Sequence, residues 1–177
     1  MVNQLFDNFE RSEFSDGIFG IFGRALTVAT RFDASTKALA RLPPFKLAIV
    51  SRSILNDDEY NRLIQNVTKK FSNLNRAIES LKLNGDIGCL LTCARESRNE
   101  LIHETTLGSI EGFDKLNQQE LYQLLEHVKG LVLKVIKGEV IISTIISIQN
   151  GEPISNHQFS HVYESQYVNW VMERYES

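Results

Sequence analysis

Apolar residues return every three or four positions through most of the chain, which is the pattern of helices that bury one face. This pattern predicts a first helix from Phe14 to Leu42. It ends there because the residue before the prolines of "LPPF" is pushed out of helical conformation. A second helix is predicted to begin at a cap, Asn56 or Asp57, and its apolar positions continue to Leu81. A third is predicted from about Ile87 to Thr106.

The second half of the chain continues in the same way. "LGSIEGFDKL" (107–116) is predicted to be a loop, and an amphipathic helix is predicted to follow a cap near Asn117. The segment 138–158 is rich in β-branched residues and could form a pair of strands around its "NGEP" turn. Continuation of the helix to about Ile148 is favoured, because no other strand is evident as a partner. A closing helix carries Tyr163, Tyr167 and Trp170.

These elements predict a single all-α domain over residues 1–177, with residues 1–12 loosely held. We expect a bundle of four principal helices with additional helices at the ends. Gly17, Gly20 and Gly23 recur every third residue in the first helix. No Gly-Lys-Ser/Thr follows them, so they are interpreted as close-packing positions or a fraying first turn rather than a phosphate loop.

The charge distribution limits the classes of partner. A net charge of −3 argues against binding nucleic acid by bulk electrostatics. Between Ile18 and Ile54, however, six basic residues accompany one acid, Asp33. They are Arg24, Arg31, Lys37, Arg41, Lys46 and Arg52. This segment offers either a local phosphate-attracting face or an ordinary solvated helix surface.

The cysteines and histidines form no recognisable metal pattern. Cys89 and Cys93 lie four residues apart in one predicted helix, a spacing that suits neither a disulfide framework nor, alone, a zinc site. His157 and His161 could share a face, but a third ligand is not apparent. We therefore expect no metal and no cofactor. With no signal segment and no apolar run of membrane-spanning length, we expect a cytoplasmic protein that does not enter a membrane.

The candidate chemistry lies in "CARESRNELIHETT", the stretch from Cys93 to Thr106. On a helical wheel the apolar residues of this helix cluster on one face, and Arg98 falls near the middle of it. That face comprises Ile87, Leu90, Leu91, Ala94, Leu101, Ile102 and Thr105. A buried guanidinium keeps its proton and needs acceptors. The partner of Arg98 is expected to be a carboxylate within the bundle, a second subunit or an anionic ligand.

Arg95, Asn99 and His103 follow one another at four-residue steps on a neighbouring polar stripe. Histidine moves protons near neutral pH, and arginine's fork stabilises charge on phosphate oxygens without titrating. These residue types suit acid–base chemistry at a phosphate group. On an ideal helix Arg98 and His103 diverge by about 140°. A kink, the length of the arginine or a second subunit must therefore bring them together.

"RNELIH", from Arg98 to His103, resembles the motif of the HEPN superfamily (higher eukaryotes and prokaryotes nucleotide-binding), an arginine followed by a polar residue and, a few positions later, a histidine. The resemblance covers six residues on a late helix of an all-α chain. It implies a helical bundle that forms a homodimer with the two motifs facing each other. For active members it implies metal-independent endoribonuclease activity in toxin–antitoxin, phage-defence or RNA-processing systems.

Carried onto this chain, the resemblance implies that Arg98 stabilises the phosphate, His103 acts as acid or base and Asn99 assists. Arg95 is a weaker candidate for substrate binding. A tyrosine two residues after the histidine occurs in a subset of HEPN toxins controlled by nucleotidyltransferase antitoxins. This chain has Thr105 there, so that mode of regulation is not carried over. Another antitoxin or regulatory protein remains an expected partner.

Two other functional classes stay open beside the ribonuclease. One is a non-catalytic interaction module in which Arg98 forms an interfacial ion pair, and the other is a nucleotide-binding bundle without turnover.

Overall fold

The structure, a computed structural model, describes residues 13–111, 113, 116–154 and 160–173, and within these residues it is all-α, with no strand. Six helices follow one another along this part of the chain. They are α1 (Glu13–Ser51), α2 (Asp57–Lys70), α3 (Leu74–Ser80), α4 (Gly85–Glu111), α5 (Gln118–Asn150) and α6 (His161–Met172). The predicted fold class is confirmed. No helix in the described ranges is long and apolar enough to cross a membrane.

The three longest helices form the main core. α5 packs along both α4 and α1, and α6 covers α1 and α5. Fully buried side chains from all three meet inside, among them Phe32 of α1, Leu91 of α4 and Val132 of α5. Burial of such side chains removes them from water and is the main stabilising contribution to a bundle of this kind.

Gly138 of α5 marks the closest approach among these helices. A Cβ atom placed on it would lie 2.5 Å from Cβ of Ala94 on α4 and 2.9 Å from Cε2 of Phe32 on α1. By contrast, a Cβ on Gly17 or Gly23 would meet no atom within 4 Å. The interpretation of the α1 glycine repeat as close-packing positions is therefore wrong.

The predicted end of the first helix at Leu42 is wrong, because α1 continues to Ser51 with Pro43 and Pro44 inside it. Each proline lacks the N–H that would bond the carbonyl four residues earlier, which is why a break was expected. Tertiary burial offsets this loss. Ala48 is fully buried, and Phe45 packs on a smaller apolar cluster formed with α2 and α3. That cluster, called the minor core below, consists of Ala40, Val67, Phe71 and Ala77.

The long helix expected to begin at Asn56 is instead two helices. The cap itself is confirmed: Asn56 Oδ1 accepts the Glu59 backbone N–H at 3.0 Å, and the Glu59 carboxylate accepts the Asn56 N–H at 3.1 Å. The chain leaves helical conformation at Phe71. Asn73 then caps α3 by accepting the backbone N–H of Asn75 at 2.8 Å.

The later helices agree with the sequence except at their ends. α4 begins at Gly85 and extends to Glu111, so the loop predicted from residue 107 begins later. Asn117 caps α5 as predicted. α5 continues to Asn150 and ends at Gly151, whose φ of 69° is the left-handed conformation that glycine adopts readily. The helical alternative for 138–150 is therefore confirmed over the strand pair.

Candidate functional site

Helix α4 places Arg98 on the side that faces the rest of the bundle. Ala94, one turn before it, and Leu101, one turn after it, are both fully buried. The Arg98 side chain itself is 24% exposed, so its guanidinium lies at the edge of the core and still reaches solvent. Long side chains at such positions bury their methylene groups and keep the charge near water.

The acid opposite Arg98 is Asp33 of α1. The distance from Arg98 Nη2 to Asp33 Oδ2 is 3.6 Å, longer than a hydrogen bond. The same Oδ2 accepts a hydrogen bond from Lys37 Nζ at 2.7 Å, one turn further along α1. One carboxylate thus serves two cations, and the shorter contact belongs to the lysine.

Several buried polar atoms of Asp33 and of the candidate residues on α4 lack hydrogen-bond partners within the described part of the chain. They are Arg98 Nε, Asp33 Oδ1 and Arg95 Nε. A buried donor or acceptor without a partner costs about 1–3 kcal/mol. Within a single chain, these buried donors and acceptors therefore lack hydrogen bonds that a further partner could supply. Of the three partners expected for Arg98, the structure shows the internal carboxylate, but as a long and shared contact.

Asn99 and His103 are both exposed on α4. Asn99 Oδ1 accepts a hydrogen bond from Arg98 Nη1 at 3.2 Å, so the first two residues of the motif are in contact. No hydrogen bond joins His103 to either of them in the described residues. Arg98 and His103 lie on one continuous helix, where five residues correspond to a rotation of about 140°. One subunit therefore does not assemble the three candidate residues into one site.

Three further charged residues of α4, Arg95, Glu96 and Glu100, are held in ion pairs. Arg95 Nη2 lies 2.9 Å from Glu96 Oε1, which is next to it in sequence. Glu100 Oε1 lies 3.0 Å from His127 Nε2 and connects α4 to α5. Exposed pairs of this kind contribute little stability. Arg95 could therefore bind a substrate anion only in competition with Glu96. The side chain of Thr105 lies outside the described residues.

The basic segment between Ile18 and Ile54 is largely committed to contacts within the chain. Arg24 donates to backbone carbonyls of Val171 and Glu173, and Arg41 donates to those of Thr68 and Phe71. Arg31 pairs with Glu139, Lys37 with Asp33 and Arg52 with Asp57. The segment is thus neither a free phosphate-attracting face nor a merely solvated surface, because five of its six cations bond other groups of the chain and three of them, Arg24, Arg31 and Arg41, join α1 to other elements.

A second polar cluster, not singled out from the sequence, lies where α1, α5 and α6 meet. Glu139 of α5 is 95% buried within an otherwise apolar face, and its Oε1 accepts a hydrogen bond from Arg31 Nε at 2.9 Å. Arg31 Nη1 donates to the Tyr167 hydroxyl at 3.3 Å. The signal was available in the sequence, since an acid amid "VIKGEVII" is as anomalous as Arg98 is in α4.

Burial raises the pKa of Glu139 above its ordinary value of 4.5, and the adjacent Arg31 guanidinium and Ser143 hydroxyl oppose this only in part. Burial likewise raises the pKa of Tyr163 above 10.0. The Glu139 carboxylate carries a desolvation cost that Arg31, itself 58% exposed, does not fully offset.

We expect Glu139→Gln to change how stability depends on pH. A carboxyl group with a raised folded-state pKa contributes stability that is complete below its unfolded pKa and is lost as pH rises through the folded value. Glutamine does not titrate. The free energy of unfolding of the variant, relative to wild type, should therefore increase as pH rises from about 4.5 toward neutral. Urea unfolding at a series of pH values measures it.

The same change at Glu126, an exposed acid on the same helix, is the matched control. A free energy of unfolding for Glu139→Gln that falls relative to wild type as pH rises would contradict the assignment of Glu139 as a desolvated carboxylate.

The distance from His161 Nδ1 to Glu164 Oε2, both on α6, is 3.7 Å. His157 lies outside the described residues. Within the described ranges no three histidine, cysteine, aspartate or glutamate residues come together as a metal site. Comparison of the chain with protein-family models, with curated proteins and with solved structures finds no match.

Proposed function

We propose that this protein is a HEPN-like, metal-independent endoribonuclease that cleaves RNA through attack by the 2′-hydroxyl. The observation that carries the proposal is the state of Arg98. Its guanidinium lies on the buried side of α4, keeps access to solvent and has a buried Nε without a partner among the described residues. Its ion pair with Asp33 is long and shared with Lys37. An anion bound at this edge would supply the acceptors that Arg98 lacks.

The proposed chemistry assigns one task to each residue of the motif. The 2′-oxygen attacks the adjacent phosphorus and the bond from phosphorus to the 5′-oxygen breaks, which leaves a 2′,3′-cyclic phosphate and a 5′-hydroxyl. His103 accepts the proton of the 2′-hydroxyl or donates a proton to the leaving 5′-oxygen. Arg98 stabilises the charge on the phosphate oxygens, and Asn99, already in contact with it, helps to orient its fork.

A homodimer completes this arrangement. Because Arg98 and His103 diverge on their own helix, the histidine nearest a given arginine would come from the partner subunit. Two facing motifs would also supply two histidines, one as base and one as acid, so that both proton transfers have a carrier. His103 suits this role because its side chain is exposed and makes no hydrogen bond to other described residues of its own chain.

The test is incubation of the purified protein with total RNA in the presence of a chelator. We expect cleavage that survives the chelator and leaves 2′,3′-cyclic phosphate ends. Arg98→Ala and His103→Ala should each lower the rate by roughly 100-fold or more, since one general acid–base group or one transition-state donor contributes about that much. Arg76→Ala and His161→Ala, at exposed positions on α3 and α6, are the matched controls and should cleave at the wild-type rate.

Circular dichroism of each variant separates loss of chemistry from loss of fold. Intact RNA with wild-type protein, or cleavage that persists in both motif variants while the controls behave identically, would overturn the proposal.

A non-catalytic interaction module is the second candidate, and a different observation favours it. The last turns of α1 and the residues after it expose four large aliphatic side chains: Leu47, Ile49, Val50 and Ile54. Several exposed aliphatic side chains within one short segment favour a protein-binding site. If RNA stays intact while Arg98→Ala converts a dimer to a monomer in light scattering, this candidate replaces the first.

A further inference from the structure

A part-open cavity of about 450 Å³ lies between α1 and α6, away from the motif on α4. Its volume falls within the range of about 300–1,000 Å³ that small-molecule sites occupy. The residues that define its chemistry come from two helix faces. They are Val28 and Arg31 of α1 and Tyr163, Gln166, Tyr167 and Trp170 of α6.

Aromatic rings form one wall of this cavity. Tyr163, Tyr167 and Trp170 follow one another at four- and three-residue steps, which places them on one face of α6. The ring centroids of Tyr163 and Tyr167 are 5.7 Å apart, and those of Tyr167 and Trp170 are 6.0 Å apart. Trp170 is 45% exposed. The wall therefore presents ring surface to which a flat molecule can stack.

Arg31 supplies a positioned cation beside this wall. Its Nε donates to Glu139 and its Nη1 to the Tyr167 hydroxyl, so two of its three nitrogens are held by the protein. Within the described residues Nη2 has no partner, and the side chain is 58% exposed. A guanidinium fixed in this way keeps one edge of its fork for an anionic oxygen.

Arg31 is separate from the cluster around Arg98. Arg31 and Asp33 are two positions apart on α1, which corresponds to about 200° around the helix. The first faces α5 and α6 and the second faces α4, so the two charged groups lie on different sides of α1.

We infer that the groove between α1 and α6 binds a small planar aromatic molecule that carries a carboxylate or a phosphate group. The ring stacks against Tyr167 and Trp170, and the anionic group accepts hydrogen bonds from Arg31 Nη2. Val28, which is 2% exposed, contributes apolar surface from α1. Recognition needs both parts of the ligand, because ring surface and cation lie on the two walls of one cavity.

The tryptophan content of the chain makes this inference directly measurable. Trp170 is its only tryptophan, so intrinsic tryptophan fluorescence reports on this groove alone. Two pairs of probes separate the contributions: adenosine 5′-monophosphate against adenosine, and benzoate against benzamide. In each pair the ring is kept and the anionic charge is removed.

We expect at least one anionic probe to change the fluorescence of Trp170 and to bind about tenfold or more tightly than its neutral counterpart, as a charge-assisted hydrogen bond predicts. A response to adenosine 5′-monophosphate alone assigns a phosphate ligand, and a response to benzoate alone assigns a carboxylate. Equal binding of charged and neutral probes, or no response to any of the four, overturns the inference.

Two variants test the residues. Arg31→Lys keeps a cation for the buried Glu139 but removes the fork, and it should abolish the preference for the charged probe. Trp170→Leu should weaken binding about tenfold. This variant has no tryptophan fluorescence, so its binding is measured by calorimetry. Tyr122→Leu, at an exposed tyrosine of α5 outside the cavity, is the matched control and should bind as wild type does. Unchanged binding in both groove variants would also overturn the inference.

Discussion

Truncation of Leu91 to alanine is expected to lower the free energy of unfolding by about 2–5 kcal/mol. Leu91 is 0% exposed and belongs to the main core. The change removes buried methyl groups and leaves a cavity, because a close-packed interior relaxes only in part. Urea unfolding monitored by circular dichroism measures the loss.

Leu90 is the matched control, because it is the preceding residue of the same helix and receives the same substitution. It is 41% exposed, so Leu90→Ala removes far less buried surface and should cost well under half as much. Similar losses in the two variants would mean that α4 is rotated about its axis relative to the structure described here.

Replacement of Gly138 by alanine is the second large effect, and we expect a loss of about 1–3 kcal/mol. Alanine is the better helix former, and this alone would stabilise the variant. The new methyl group, however, would lie 2.5 Å from Cβ of Ala94 and 2.9 Å from Phe32 Cε2. Real Cβ atoms do not approach so closely, so α4 and α1 must move away from α5. Overpacking therefore outweighs propensity at this position.

Gly130 provides the opposite case on the same helix. A Cβ atom there meets nothing within 4 Å, and Gly130→Ala should gain about 0.5–1 kcal/mol from the lower backbone entropy of the unfolded chain. The exchange Ala94→Gly with Gly138→Ala moves one methyl group across the contact and should recover part of the stability. A neutral or stabilising Gly138→Ala would show that the helices are further apart than described.

The fold class and most helices could be predicted from the sequence because they depend on local chemistry. The apolar spacing of three and four residues marks the helices, and Asn56 and Asn117 cap them through contacts made within three residues. The continuation of α1 through Pro43 could not be predicted in this way. It depends on the burial of Ala48 and on the packing of Phe45 against the minor core.

For the candidate site, the unusual position of Arg98 could be predicted from the sequence, and the role of the site stays a prediction. The anomaly of Arg98 was visible on the wheel, and its contact with Asn99 follows from their adjacency. A helical wheel gives the direction in which a side chain leaves the helix axis. It does not show whether another helix packs against that side chain at its position along the axis. Ile87 and Leu90 were placed on the buried face for this reason, yet they are 46% and 41% exposed. The partner of Arg98, on a helix 65 residues earlier, likewise needed the tertiary structure.

The division of the interior into a main core and a minor core bears on how the molecule opens. α2 buries one side chain, Val67, and touches the interior only through the minor core. α3 belongs to both, since Leu74 and Ile78 face the main core and Ala77 the minor one. Detachment of α2 therefore exposes little apolar surface and costs less free energy than separation of α4 from α5. Amide protons of α2 would exchange with deuterium first, while those of the long helices stay protected until the whole chain unfolds.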